Sequence, residues 1–224
     1  MLGNTFIVVW EGVDGSGKTT LLNAVARRQF ELGYSVETYK TPSNSPTGLF
    51  AQQHGNTPTI DSLTRMFLFL ANTSDDSRVI RRLIEEKKPD FLHIDRYYLC
   101  SVVYGFSLTA KRNSSLLDAE KFKKFFETIE ELGTNVFVGP DLVIIVTVDP
   151  QTRKQRTAQK TPSSDIQFER DEELQERVEH YYNVYSEWRP HQVWKIFNPE
   201  NMVDVLSREI SDRLISLRRR SLGG

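Results

Sequence analysis

Eight residues near the amino terminus carry the chemistry most open to reading. Gly12-Val13-Asp14-Gly15-Ser16-Gly17-Lys18-Thr19 has the spacing G-x-x-x-x-G-K-[ST], and each fixed position has a physical task. Glycines let successive backbone N–H groups curl around phosphate oxygens, where a side chain would clash and resist the required backbone angles. Lys18 adds a full positive charge, and the Thr19 hydroxyl suits a Mg²⁺ ion. A helix beginning here turns its amino-terminal dipole toward the anion. Gly12, Asp14, Gly15, Ser16, Gly17, Lys18, Thr19 and Thr20 are therefore expected to surround the phosphates of a bound nucleotide. The bland alternative is a fortuitous glycine-rich turn.

A second group, Asp95-Arg96-Tyr97, closes the apolar run Phe91-Leu92-His93-Ile94. A carboxylate at the carboxyl edge of a buried strand lies where open α/β sheets bind their ligands. There Asp95 can hold a Mg²⁺ water alongside Thr19, and Arg96 can neutralise charge on a phosphoryl group in transit. The ordinary alternative for Asp95 is a helix N-cap.

Placing these groups requires a scaffold, and the hydrophobic pattern supplies one. Apolar runs of strand length occur at Thr5–Trp10, Ser35–Tyr39, Phe91–Ile94, Leu142–Val148 and Val193–Phe197. Between them, helical spacing predicts helices over Lys18–Leu32, Ser62–Lys87, Ser115–Leu132, Asp171–Trp188 and Asn201–Leu217, the long one with a possible break around Asn72–Asp76. Lys40–Gly48, with two prolines, reads as a loop. Strands that alternate with helices and are too apolar to have a wet face predict an α/β fold, a mainly parallel five-stranded sheet covered on both faces. Residues 1–224 read as one domain, with Arg153–Arg170 as a mobile flap because it is polar, basic at its start and interrupted by Thr161-Pro162-Ser163-Ser164.

Composition removes other classes. With 29 basic residues against 30 acidic ones, no global field recruits nucleic acid. The one cysteine, Cys100, excludes an internal disulfide. No apolar stretch approaches the roughly 18 residues of a membrane span, and no basic leader precedes the first strand, so a cytoplasmic protein is expected. His54, His93, His180 and His191 show no metal-binding spacing and are expected in packing or surface roles.

WEGVDGSGKTT (Trp10–Thr20) and DRYYLCSVVYG (Asp95–Gly105) resemble the signature segments of thymidylate kinases. Phe69-Leu70-Ala71-Asn72-Thr73 resembles the family's middle helix, and Leu142–Val148 with Asp149-Pro150 its strand before the lid. The resemblance covers nearly the whole chain. It implies a doubly wound nucleoside-monophosphate-kinase fold, ATP as phosphate donor, Mg²⁺, dTMP as acceptor and a homodimer packed through sheet-covering helices, the Ser62 helix being a candidate. It also implies that Asp14 approaches the acceptor's sugar hydroxyl and phosphate, and that Phe69 stacks on the base. Ser101 and Tyr104 would face base and sugar, and Lys40 would grip the acceptor phosphate. Without the resemblance, Phe69 at helical spacing reads as core, and Ser101 and Tyr104 as ordinary helix packing. Such enzymes place a stabilising arginine either in the phosphate loop or in the lid. Gly15 leaves the loop without one, so Arg156 is the expected catalytic arginine, with Arg153 and Lys160 nearby.

The chain departs from the family pattern twice. Thr73 stands where an arginine would reach the base carbonyl, and Asp165-Ile166 replaces a lid Asp-Arg pair. Arg78 is the candidate to compensate in the first case and Arg170 in the second. Thr73 also opens the alternative of a relaxed base preference toward dUMP or dCMP. A rival of another class is a nucleotide-binding module that transfers no phosphate. The acceptor-side candidates Phe69 and Tyr104 speak against it.

Overall fold

Alternating side chains along the strands decide the architecture, because successive residues of a strand point to opposite faces. A computed structural model describes residues 4–57, 59–112, 118–159 and 166–223. The elements are β1 (Phe6–Glu11), α1 (Lys18–Glu31), β2 (Val36–Lys40), α2 (Pro46–Gly55), α3 (Ser62–Lys87), β3 (Phe91–Asp95) and α4 (Tyr98–Arg112). They continue with α5 (Ala119–Leu132), β4 (Leu142–Thr147), α6 (Pro150–Ala158), α7 (Ile166–Glu169), α8 (Glu172–Trp188), β5 (Val193–Phe197) and α9 (Val203–Leu222).

The five strands form one parallel sheet in the order β2-β3-β1-β4-β5. On one face Phe6, Val8 and Trp10 of β1 pack with Leu21, Leu22 and Val25 of α1 and Leu214 of α9. On the other, Ile7 and Val9 pack with residues of α3, α4 and α8 such as Ile80, Val102 and Val178. Only the inner strands, buried almost throughout, fit the expectation of strands without a wet face. The edge strands β2 and β5 are partly exposed along their length, as strands with a neighbour on one side only must be.

The sheet order reverses at β1, whose neighbours are β3 and β4, so a crevice opens beyond the carboxyl ends of these strands. Strand positions agree with the sequence reading to within a residue or so at each end. Two elements differ. The Lys40–Gly48 stretch is a loop only as far as Ser45, whose side chain caps α2 by accepting from the Gly48 N–H, with Pro46 in the first helical turn. The helix from Ser62 runs unbroken through Asn72–Asp76. There, the hydroxyls of Thr73 and Ser77 donate to the carbonyls four residues earlier rather than disrupting the helix. Of the proposed flap, 153–158 continue α6, capped by Asp149. Lys160, Thr161 to Ser164 and Asp165 lie outside the described residues, as does Ser115 at the start of the helix expected over Ser115–Leu132.

Candidate active site

The phosphate loop occupies the link between β1 and α1. Gly12 has φ 140°, and a Cβ there would lie 2.3 Å from the Val146 carbonyl oxygen of β4. Only glycine lets the chain leave the sheet so closely. Gly17, left-handed, is the N-cap of α1 and offers no capping side chain, so the first N–H groups of that helix point into the crevice. Ser16 Oγ, buried in the loop, has no hydrogen-bond partner among the described residues. The cavity in front of the loop has a volume of about 930 Å³, and Asp14 to Thr20 form one wall.

Asp95 meets this loop from the neighbouring strand. Its Oδ1 accepts from Lys18 Nζ at 2.6 Å and its Oδ2 from the Thr19 hydroxyl at 2.6 Å. It ends β3 and caps no helix. Burial alone would raise its pKa, but the Lys18 ammonium and the two hydrogen bonds hold the carboxyl below its usual range. Burial lowers the Lys18 pKa, as does nearby Arg96, against the opposing pull of Asp95. The Thr19 hydroxyl and Asp95 carboxylate together present hard oxygen donors to the cavity, a set that fits Mg²⁺.

Arg96 sits at φ 65°, an uncommon conformation for a non-glycine residue, held by its N–H to the Trp10 carbonyl. Its guanidinium pairs with Asp14 Oδ1 and reaches Cys100 Sγ at 3.0 Å. Tyr104 donates its phenol proton to Asp14 Oδ2. Asp14 is thus held from two sides by α4 and its approach, while its own N–H donates to Gln175 of α8. Phe69, half-buried on α3, Thr73, Ser101, Tyr104 and the exposed Lys40 line the same cavity further from the loop.

A thymidylate kinase family model matches residues 10–210. The chain belongs to the thymidylate kinase family. It is 30% identical over 190 residues to a probable thymidylate kinase of Methanocaldococcus jannaschii, covering 84% of this chain and 85% of the relative. It is also 30% identical over 152 residues to a thymidylate kinase of Caldicellulosiruptor saccharolyticus, covering 66% and 68%. Among solved structures, thymidylate kinase from Candida albicans superposes with a TM-score of 0.70 at 18% identity, covering 96% of this chain and 92% of that one. The enzyme from Ehrlichia chaffeensis gives 0.65 at 19%, covering 94% and 98%. These two share the doubly wound α/β fold. As a thymidylate kinase family member the chain is a nucleoside monophosphate kinase, with ATP as phosphate donor.

Several expectations need correcting within this thymidylate kinase fold. Phe69 is absent from both core clusters, so its helical spacing misleads if read as packing. Arg78 does not compensate for Thr73, because its side chain is 82% exposed and pairs with Asp75. Thr73 itself donates to the Phe69 carbonyl at 2.9 Å. Arg170 is exposed on the surface. Arg156 reaches the loop, yet its guanidinium donates to the carbonyls of Ser16, Asn198 and Pro199 at 3.1 to 3.2 Å, clamping loop to β5–α9 turn. Gly15 explains why no arginine stands in the loop. A Cβ there would lie 2.7 Å from Thr157 Oγ1 and 3.0 Å from the Arg153 carbonyl oxygen, both on α6.

Other residues went unnoticed in the sequence. Glu11, fully buried at the end of β1, accepts from the N–H groups of Tyr97 at 2.9 Å and Cys100 at 3.3 Å and from the Tyr182 hydroxyl at 2.8 Å. It caps the start of α4 from another strand and so fixes the Arg96 turn. Burial pushes its pKa up to about 7, against the pull of Arg96. A charged residue closing an otherwise apolar strand was the available signal. Asn198, donating to the Ser16 carbonyl at 2.8 Å, and Gln175 gave none, since each acts from a distant element.

Proposed function

We propose that the chain transfers the γ-phosphate of ATP to the 5′-phosphate of dTMP, giving dTDP and ADP, as one kinase domain spanning residues 1–224. The observation that carries this reading is the link between Asp14 and the Arg96–Tyr104 pair. It joins the donor loop to an aromatic-lined acceptor half of the same cavity. A mere nucleotide-binding module has no need of that second half.

In this reading the loop N–H groups and Lys18 hold the β- and γ-phosphates, and Lys18 stabilises the phosphoryl group in transit. Lys18 then exchanges its Asp95 partner for phosphate oxygens. Thr19 and Asp95 are the residues that would hold Mg²⁺, which when bound neutralises charge on the phosphates. Arg96, paired with Asp14, turns from the carboxylate to the charge of the phosphoryl group in transit. Asp14, freed, accepts from the sugar hydroxyl of the acceptor, and Phe69 supplies the stacking platform. Ser101 and Tyr104 flank the sugar and base, and Lys40 lies toward the acceptor phosphate. Arg156, already on the Ser16 carbonyl, closes the donor side, within a lid of about 153–170.

Leu63 and Phe67, one turn apart on α3 and about half exposed, support a homodimer through this helix. No helix among the described residues is long and apolar enough to cross a membrane, in keeping with a cytoplasmic enzyme. The deciding experiment measures ADP release with Mg·ATP and a panel of nucleoside monophosphates. dTMP-dependent turnover is expected, and dCMP turnover equal to or above it would sink the thymidylate assignment.

A further inference from the structure

The family position that would read the base holds Thr73, whose hydroxyl is bound to its own helix. A guanidinium nevertheless lies in the acceptor half. Arg65, one turn before Phe69 on α3, is only 8% exposed. Its guanidinium lies over the Phe69 ring, Cζ 4.6 Å from the centroid, with the Phe168 and Tyr104 centroids at 4.8 and 5.8 Å, so a base stacking on that face displaces it toward the base's edge. Nη2 donates to Asn56 Oδ1 at 3.3 Å. The Arg65 side chain lines the cavity.

A second atom points the same way. Asn72, one turn beyond Phe69 and fully buried, donates through Nδ2 to the hydroxyls of Ser45 at 3.4 Å and Thr47 at 3.3 Å. Its Oδ1 has no hydrogen-bond partner among the described residues, although Asn72 also lines the cavity. A buried acceptor without a donor is costly unless a ligand supplies one.

We infer that Arg65 and Asn72 bracket the acceptor base on Phe69 and select a pyrimidine with a 4-oxo group and an N3–H. This rests on the dTMP-kinase reading above, and on Phe69 as its base platform. Arginine is donor-only. Thymine and uracil present a 4-carbonyl oxygen to it, whereas cytosine presents a 4-amino donor. The Asn72 carbonyl oxygen accepts an N3–H that cytosine lacks. The pair therefore discriminates oxo from amino bases and is indifferent to the 5-methyl group.

The test measures kcat and KM for dTMP, dUMP and dCMP at saturating Mg·ATP for the wild type, Arg65→Met and Arg65→Lys. Wild type should favour both 4-oxo substrates over dCMP. Arg65→Met should lower kcat/KM for dTMP and dUMP by roughly tenfold to a hundredfold, chiefly through KM, with dCMP within about twofold and the ATP KM unchanged. Arg65→Lys, which keeps a donor, should retain an intermediate preference. An equal loss for all three substrates in Arg65→Met, or an unchanged dTMP-to-dCMP ratio, overturns the inference while leaving the kinase reading intact. A wild type that phosphorylates none of the three overturns both.

Discussion

The two halves of the cavity are built in opposite ways. The donor half is a run of adjacent residues, 12 to 20, whose backbone makes the site, with one carboxylate, Asp95, added from the next strand. The acceptor half gathers side chains from α3, α4 and α7 and the segment around α2, so distant stretches of the chain make it. Contiguous backbone leaves little to vary, so the donor half carries the family pattern intact. The acceptor half can draw a similar group from elsewhere on the same helix, as we infer for Arg65 in place of position 73.

This contrast makes predictions in descending size. Lys18→Ala should lower kcat by about a thousandfold or more while leaving the acceptor KM within a few fold, because its charge acts most on the transition state. Arg96→Ala should also act mainly on kcat, and a dominant effect on acceptor KM in either variant would erase the distinction between the halves. Next comes the strut that joins them. Glu11 has a folded pKa of about 7 against 4.5, so the folded state binds its proton more tightly. Its contribution to stability is full below about pH 4.5 and lost as pH rises through 7, on the order of 3 kcal/mol across that window. Glu11→Gln keeps a backbone acceptor but cannot titrate. The wild type should thus gain on the variant between pH 8 and pH 5 in unfolding experiments, and a flat difference would remove Glu11 from the pH response.

Phe69→Ala should raise the acceptor KM by roughly ten- to a hundredfold, from the ~1–3 kcal/mol of a lost stacking contact, and leave the ATP KM unchanged. An ATP effect of similar size would mean that the halves are not separable. Smallest of all, Arg78→Met should change kcat/KM for dTMP by less than about twofold, since an exposed ion pair contributes little and the side chain faces away from the cavity.

How much of this was legible follows from the same contrast. The phosphate loop, five strands and long helices could be read because each is local and periodic. The cap of α2 was also local, Ser45 before Pro46, and was obscured by the prolines around it. The error over Arg78 was avoidable by geometry. Nine residues from Phe69 at about 100° per residue put it on the opposite side of α3, whereas Arg65, four residues away, shares the face. Glu11 could be seen but not interpreted, since its partners, Tyr97, Cys100 and Tyr182, lie at the start of α4 and on α8, both distant in sequence. Asn198 and Gln175 were beyond reach, because nothing near them in sequence refers to the loop they hold.

Gly15 also has an evolutionary consequence. With Thr157 and Arg153 already where its Cβ would lie, position 15 and α6 compete for one volume. A side chain at position 15 requires α6 to shift from its present seat, so a lineage moving the stabilising charge from lid to this position meets that obstacle first. It must first loosen α6, and the order of substitutions, more than their number, governs whether that route is open.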